Sequence, residues 1–471
     1  MQEVTLTQVL EAREERVRKQ QELLKTYHCP IICFTMNIAG PIKTSPLTQC
    51  AFQVGLDALD NRLPQKHIRF RSTEIAVTGC LAMYAVDTEA ITLKKICTEI
   101  EDAIPLGRLF DMDVLDVNGV KPERYLVGGK SRNCIVCGAS GRACAAGRLH
   151  TVPELQAATL AIIQKHFAIN TQPESTPFEQ LAALAAQSLI DEAMTTPKPG
   201  LVDMRNNGSH QDMNLYAFLC SAHALKPFFL ECLAIGQNTR HMAPANTFPH
   251  LREAGLKAEQ AMYAATGGVN THKGAIYSLG ILCGALGRLW CPEIPIAETA
   301  ALVKHCTEMV SPHVKADFAA LSVSRSATMD SIPLNGKPTT KPALSAGQRL
   351  YLEEGITGIR GEALAGFPSV TKLSLPAYQN ALQSGLNHND AGIMALLHLI
   401  ANVKDTNLYH RGGRDGAAYA ANAARTLLAT NKLPSYEQLK TLDDTFIAKN
   451  LSPGGCADLL AVTYFLHRLK N

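Results

Sequence analysis

Aromatic side chains are scarce: one Trp in 471 residues, and 6% aromatics in all. The interior must therefore be built mainly from Ala and Leu, which favours helices. Charge of one sign is also lacking. The net value of +3 is too small to argue for nucleic acid or an anionic membrane, although local basic sites for phosphates stay open. The start, Met1-Gln2-Glu3-Val4, shows no basic-then-apolar leader pattern. The largely apolar run 275–287 is too short to cross a bilayer comfortably, and Arg288 follows it. No membrane span, internal repeat or low-complexity tract is expected. Fourteen Cys without an export signal imply free thiols in a reducing cytoplasm. Hydrophobic content of 46% and charged content of 18% are globular values, and the length suits two or three domains.

The first third alternates between strand and helix character. Residues 5–27 read as a charged helix with a weak apolar face of Leu6, Val9, Leu10, Val17, Leu23 and Leu24. Residues 31–36 read as a buried strand, 49–61 as a helix, and 68–70, 74–78 and 81–86 as strands. A helix over 93–104 precedes a strand over 109–117, and 152–167 closes this part as a helix. The pattern is α/β or α+β. The polar stretch N-T-Q-P-E-S-T-P is the best linker, placing domains at 1–169 and 178–471 with a linker at 170–177. Beyond it the segments 178–194, 215–235, 256–266, 273–289, 296–310, 390–401, 416–429 and 457–469 all read as helices. The second domain is therefore expected to be all-α.

In the strand L-F-D-M-D-V-L-D-V, Asp111 and Asp113 fall on one face, because successive side chains alternate. Paired carboxylates of this kind bind Mg²⁺ and neutralise phosphate charge, with Arg108 and Lys43 as candidate phosphate ligands nearby. A solvated strand edge is the bland alternative. Asp116 falls on the other face. Cys134, Cys137, Cys144 and His150 have the count of a Cys₃His zinc site, with packed thiols beside a Gly/Arg turn as the alternative.

The second domain carries five polar clusters at Gly- or Pro-broken helix ends. The central one, T-T-P-K-P-G-L-V-D-M-R-N-N-G-S-H-Q-D-M-N, holds Lys198, Asp203, His210 and Asp212. G-G-V-N-T-H-K-G brings Asn270, His272 and Lys273 to a helix start, an anion-binding arrangement. G-I-R-G-E-A-L-A-G-F holds Arg360 and Glu362, N-H-N-D spans 387–390, and D-T-N-L-Y-H-R-G-G holds Asp405, Asn407 and Arg411. Each alone reads as caps and turns. Together they suit a metal–triphosphate site.

These residues resemble two known families. C-F-T-M-N-I-A-G-P-I-K-T-S-P, G-R-L-F-D-M-D-V-L and the C-x-x-C-G…C…R-x-H run are similar to apo-citrate lyase phosphoribosyl-dephospho-CoA transferase, also called holo-acyl-carrier-protein synthase. P-K-P-G-L-V-D…N-G-S-H-x-D-M, G-V-N-T-H-K-G, G-x-R-G-E-A…G-F and D-T-N…R-G-G resemble triphosphoribosyl-dephospho-CoA synthase. The whole looks like the fused form. The resemblance implies an N-terminal nucleotidyltransferase-like domain and a C-terminal all-α domain. It implies ATP and 3′-dephospho-CoA as substrates, Mg²⁺, and the citrate lyase acyl carrier protein as partner. The 2′-hydroxyl of dephospho-CoA would attack the ribose anomeric carbon of ATP and release adenine. Asp203, Asp212, Glu362 and Asp405 are the implied carboxylates, and Lys198, Lys273, Arg360 and Arg411, with His210, His272 and Asn407, the implied substrate contacts. In the N-terminal domain a carrier Ser would attack the α-phosphate of that product, with Asp111 and Asp113 carrying metal. The Gly-Ser helix signature that precedes such a pair in many nucleotidyltransferases is not found. The same chemistry could serve a malonate decarboxylase carrier. A non-catalytic carrier chaperone with a nucleotide-sensing module is the reading from another class.

Overall fold

The computed structural model describes residues 2–291, 298–329, 344–430 and 432–470. It divides into two compact units, Met1–Ala168 and Ile169–Asn471. The first unit runs α1 (Leu6–Tyr27), β1 (Ile31–Met36), α2 (Pro46–Arg62), β2 (Ile68–Ala76), β3 (Gly79–Val86), α3 (Ala90–Ala103), β4 (Phe110–Leu115), α4 (Gly141–Gly147) and α5 (Val152–Phe167). The sheet order is β2-β3-β1-β4, and every pairing is antiparallel. The architecture is therefore α+β, because parallel α/β units would need crossover connections that these strands do not make. The strands expected at 68–70 and 74–78 are one strand, β2, with a register irregularity between Ile68 and Phe70.

Period-two alternation gives the sheet two faces. Cys33, Met83, Ala85 and Leu115 form a core under Leu23 of α1. On the other face Phe34 stacks on Phe52 of α2 at 4.7 Å and meets Phe110 edge-on at 5.3 Å. Such pairs add about 0.5–1.5 kcal/mol each beyond area burial. A Cβ at Gly55 would lie 2.3 Å from the Phe34 ring, so α2 can approach this closely only with glycine there.

The apolar face expected for α1 is corrected. Leu6, Leu10 and Val17 are exposed. The helix instead turns Val9, Ala12, Arg16 and Lys19 toward the sheet, with Leu23 as its anchor. Of the six expected residues, Leu23 is buried and Leu24 packs against the same core, so the apolar face holds near the end of the helix while cations line the cleft before it. The strand expected over 109–117 ends at Leu115. Asp116 leaves it to accept the amides of Asn118 (2.9 Å) and Val120 (2.8 Å).

The second unit contains α6 (Pro177–Met194), α7 (Leu215–Asn238), α8 (Phe248–Thr266), α9 (Lys273–Leu289), α10 (Thr299–Met329), α11 (Ala346–Glu354), α12 (Gly358–Leu364), α13 (Leu375–Gln383), α14 (His388–Asn402), α15 (Thr406–Leu428), α16 (Tyr436–Ala448) and α17 (Gly454–Arg468). Among its described residues there is no strand. Helix α7 is apolar and long enough to cross a bilayer by length and composition. Its packing against α6, α8 and α9 accounts for that surface. Helix α9 contains the apolar run 275–287 and is buried almost throughout. The α7–α9 crossing is close: a Cβ at Gly236 would sit 2.0 Å from the Gly284 carbonyl oxygen. Sequence periodicity missed α11, α12, α13 and α16, which are short or weakly amphipathic, and started α8 and α15 too late. Helix α15 begins at Thr406 and breaks only at Gly413 (φ 63°), so D-T-N-L-Y-H-R-G-G opens a helix rather than ending one. The start expected at 296 lies outside the described residues.

Candidate functional site

The segment 195–214 is broken by design of its sequence and then tied down. Thr195 Oγ1 hydrogen bonds Tyr464 Oη at 2.6 Å, and the Asn389 amide clasps the Thr196 backbone with two 2.8 Å bonds. Asp443 of α16 is fully buried and accepts from Gly200 N and Asn206 Nδ2, each at 2.8 Å, while pairing with Arg205. These bonds replace the helical ladder that Pro197, Pro199 and Gly200 prevent. They also explain the fourth cluster. Asn387 caps α14 and Asn389 braces Thr196, so 387–390 is scaffold and does not line the cavity.

The segment forms one wall of a cavity of about 800 Å³. Lys198, His210, Asp212, His272, Lys273, Arg360, Glu362, Asp405, Asn407 and Arg411, all singled out from sequence, line it. Residues from four distant stretches thus meet in one place. Lys198 is buried, and its ammonium is held by the Glu192 backbone oxygen (2.6 Å) and the Glu192 carboxylate, leaving one donor. Lys273, at the start of α9, pairs with Glu259 at 2.7 Å. Arg360 is half exposed and, among the described residues, has a 3.8 Å ion pair with Asp317. Arg411 donates to the Ser209 carbonyl and Asn450, each at 2.8 Å, and to His210 Nδ1 at 3.1 Å. Its clearest role is to brace the turn that presents His210. Lys404, not foreseen, adds another cation to the wall.

Three polar atoms in the wall have no hydrogen-bond partner among the described residues although each is buried: Thr271 Oγ1, His272 Nε2 and Tyr277 Oη. An unpaired buried polar atom costs about 1–3 kcal/mol. Native proteins keep such groups where a ligand or function needs them. All three lie between the G-G-V-N turn and the second turn of α9.

His272 bonds Ser221 Oγ at 2.7 Å through Nδ1. Burial, then the charge of Lys198, pushes its pKa down to about 3. His210 is pushed down to about 4 by burial and Arg411. Both rings are neutral near pH 7. Unfolded His272 takes up a proton near 6.5, whereas the folded ring stays neutral to about 3, so acidification favours unfolding within that window. The loss from His272 is about 2 kcal/mol between pH 6.5 and pH 5. Asp203, pushed up to about 6 by burial, acts oppositely between 3.8 and 6. That contribution is common to parent and variant. His272→Gln should therefore lose less stability than the parent from about pH 7 to about pH 5, by about 2 kcal/mol. Thermal denaturation at the two pH values checks this, and equal losses would show a solvated His272.

The carboxylates divide by what holds them. Asp203 does not line the cavity. Its oxygens accept the amides of Lys198 (2.8 Å), Arg205 (2.7 Å) and Asn206 (3.0 Å). Asp405 caps α15 and accepts Asn407 N (2.7 Å), Leu408 N (3.0 Å) and Cys456 N (2.7 Å). Both shape backbone, each accepting three amides. Glu362 is oriented by Ser369 Oγ (2.6 Å) and Ser369 N (3.2 Å), and burial raises its carboxyl. Asp212 is exposed on the wall. Sequence reading missed Glu192 and Asp458, which also line the cavity. Burial first, then Glu192 and Asp405, push Asp458 well above the usual carboxylate range. The available signals were an acid in the last turn of α6, against the helix dipole, and an acid inside the apolar run of α17.

In the first unit, Asp111 and Lys43 line a cleft of about 370 Å³ together with Arg13, Arg16 and Lys19 of α1. Asp111 lies opposite Thr35, and Asp113 opposite Cys33. Asp111 keeps exposed surface yet stands in the cleft wall, and that enclosure, then Asp113, raises its carboxyl. Asp113 pairs with Lys121 at 2.5 Å. Lys43 donates to the Ile38 carbonyl at 2.6 Å, and burial lowers it. Arg108 is not in this cleft. It donates to the Asn133 carbonyl and lies near Arg124, Arg132 and Glu101. The cations of α1 were missed because they occupy the stripe where apolar residues were expected. Cys134, Cys137, Cys144 and His150 come together in the same unit.

A family model described as ATP:dephospho-CoA triphosphoribosyl transferase matches residues 178–471. One described as apo-citrate lyase phosphoribosyl-dephospho-CoA transferase matches residues 4–166. The chain is 36% identical to Protein CitXG of Haemophilus influenzae over 98% of this chain and 96% of that protein. It is 32% identical to Protein CitXG of Leuconostoc mesenteroides subsp. cremoris, over 99% and 97%. The 2-(5″-triphosphoribosyl)-3′-dephosphocoenzyme-A synthase of Haemophilus ducreyi is 38% identical over 70% of this chain and 98% of its own length. With a cation-lined cavity in one unit and an Asp-bearing cleft in the other, the chain belongs to the family of fused bifunctional citrate lyase prosthetic-group proteins.

Proposed function

We propose that the second unit makes 2′-(5″-triphosphoribosyl)-3′-dephospho-CoA from ATP and 3′-dephospho-CoA, releasing adenine, and that the first unit transfers it to a Ser of the apo-citrate lyase acyl carrier protein, releasing pyrophosphate. The observation that carries the first half is a cavity whose wall holds Lys198, Lys273, Arg360, Lys404 and Arg411 together with three buried polar atoms that have no partner among the described residues. The cations suit a triphosphate, and the orphaned atoms suit the hydroxyls and ring nitrogens of a nucleoside.

In the synthesis step the 2′-oxygen bonds to the ribose anomeric carbon as the bond to adenine breaks. Glu362, raised by burial and oriented by Ser369, takes the hydroxyl proton. Asp458, its carboxyl pushed upward by burial and by Glu192 and Asp405, is the group placed to supply a proton to the departing adenine. Neutral His272 offers Nε2 as a hydrogen-bonding group rather than a charge. The donors fit Mg²⁺: Asp212 is a wall carboxylate beside phosphate-binding cations, and Mg²⁺ commonly takes one or two carboxylates plus phosphates. Mg²⁺ would neutralise triphosphate charge there. Asp203 and Asp405 are reassigned as positioning residues.

A second, mostly apolar pocket of about 570 Å³ shares Glu259, Lys273, Tyr277 and Arg360 with the first. Phe228, Phe248, Leu251, Leu256 and Ile276 line it. Its continuity and apolar lining suit the pantetheine arm of dephospho-CoA. Gly255→Leu tests this. A Cβ at Gly255 has its nearest neighbour 4.0 Å away, so the side chain fits without a backbone clash and fills the pocket. Helix propensity also improves, by about 0.5–1 kcal/mol. The KM for dephospho-CoA should rise about tenfold, a loss of about 1.4 kcal/mol, with the KM for ATP unchanged. An unchanged KM for dephospho-CoA would place the arm elsewhere.

In the first unit the carrier Ser oxygen bonds to the α-phosphorus as the bond to pyrophosphate breaks. Lys43, Arg13, Arg16 and Lys19 bind phosphates in the cleft. Asp111 and Asp113 fit Mg²⁺, because the neighbouring charge of Asp113 helps to raise the Asp111 carboxyl, and a shared cation would relieve that. The nucleotidyltransferase-like reading of this unit rests on that pair and on the antiparallel strand that carries it.

A further inference from the structure

We infer that Cys134, Cys137, Cys144 and His150 form a structural zinc site that holds the segment between β4 and α5. One ligand atom from each lies within 4.8 Å of every other. Tetrahedral zinc with bonds of about 2.0–2.3 Å places its ligands at such separations. Cys137 Sγ and Cys144 Sγ are 3.5 Å apart, far beyond a disulfide bond.

The backbone is shaped for this. Cys134-Ile135-Val136-Cys137-Gly138 folds into a tight turn in which Gly138 N bonds the Cys134 carbonyl at 3.0 Å and Cys134 N bonds the Ala139 carbonyl at 2.7 Å. The Val136 amide points at Cys134 Sγ, 3.5 Å away, and so favours a thiolate. Gly138 has φ +75°, the left-handed geometry needed to close the turn. Helix α4 delivers Cys144 and ends at Arg148 in left-handed geometry, which swings His150 back. His150 Nε2 is buried without a hydrogen-bond partner among the described residues. A second-row donor left over in a thiol pocket is what a metal ligand looks like before metal is counted.

The need is visible in the burial pattern. Between residues 116 and 151, Cys144 is the one buried side chain, while Val120, Tyr125, Leu126, Val136 and Leu149 are exposed. Apolar burial cannot hold that stretch, and small regions without a core are commonly stapled by metal. Three thiolates and one neutral imidazole match zinc among common metals. The staple has a consequence for the cleft. Arg132, two residues before Cys134, donates to the Phe110 carbonyl at 2.8 Å and pairs with buried Glu101 at 2.5 Å. Zinc thereby fixes a loop that braces the strand bearing Asp111.

The test is elemental analysis of the full chain, purified without chelator, with Co²⁺ replacement as a second readout. About one zinc per chain is expected. Co²⁺ should give thiolate charge-transfer absorption and tetrahedral ligand-field bands, and Cys137→Ser should reduce both zinc content and those bands. A mercurial titrating three thiols should release the zinc. Stripping the metal should lower carrier loading while adenine release stays at the parental rate. Where Cys137→Ser fails to fold, the Co²⁺ spectrum of the parental chain decides. Metal-free protein with no Co²⁺ spectrum, or a Cys137–Cys144 disulfide in freshly purified protein, overturns the inference.

Discussion

Lys198→Met should reduce adenine release by about 10²–10³-fold, the cost of removing one preorganised charge from an active site. It should also destabilise the second unit by about 3–5 kcal/mol, because the buried Glu192 loses its partner. Side chains of Lys198 and Glu192 are only 1% and 4% exposed, so solvent does not screen the pair. These two effects can be separated. Lys198→Met with Glu192→Gln leaves neither charge alone and should recover most of the stability. It should not recover activity, because the remaining Lys198 donor is still missing from the cavity. Chemical denaturation and an adenine assay on the three proteins check both parts. A double variant with parental activity would reduce Lys198 to a structural cation.

Asp111→Asn with Asp113→Asn should reduce carrier loading by about 10²-fold or more and leave adenine release unchanged. Asparagine keeps the shape of β4 and removes both negative charges. The fold should tolerate this. Lys121 loses a partly exposed partner worth no more than about 1 kcal/mol, and Asp111 loses a like-charge neighbour. Carrier mass and pyrophosphate release measure loading. Loss of adenine release in this variant would mean that the two reactions share a site.

The α+β and all-α characters were legible because long segments such as β1, α7 and α9 are strongly patterned. The cavity was legible for another reason. Lys198, His272, Arg360 and Asp405 all sit where Gly, Pro or a cap interrupts a helix, and the fold brings those breaks to one cavity. Roles were harder to read. Asp203 and Asp405 carry the same local signature as a reactive carboxylate, yet each accepts three backbone amides, and sequence does not record which lone pairs are engaged. Asp405 before T-N-L-Y is in fact an N-cap signature. Asp458 had no polar neighbours to mark it within α17. The α1 face held at Leu23 and Leu24 and failed at Leu6, Leu10 and Val17, because periodicity counts apolar residues, whereas Arg13, Arg16 and Lys19 line the cleft. Arg108 sits two residues before β4 begins, but its guanidinium turns to the Asn133 loop, which only tertiary structure reveals.

The division of labour between the two units is the central claim, and product analysis of the full chain tests it. With ATP, Mg²⁺ and 3′-dephospho-CoA but no carrier, one adenine should appear for each dephospho-CoA that gains a triphosphoribosyl group. After removal of ATP, addition of apo-carrier should release pyrophosphate and raise the carrier mass by the phosphoribosyl-dephospho-CoA group. Release of ADP or AMP in place of adenine, or adenine release only when carrier is present, would contradict the account.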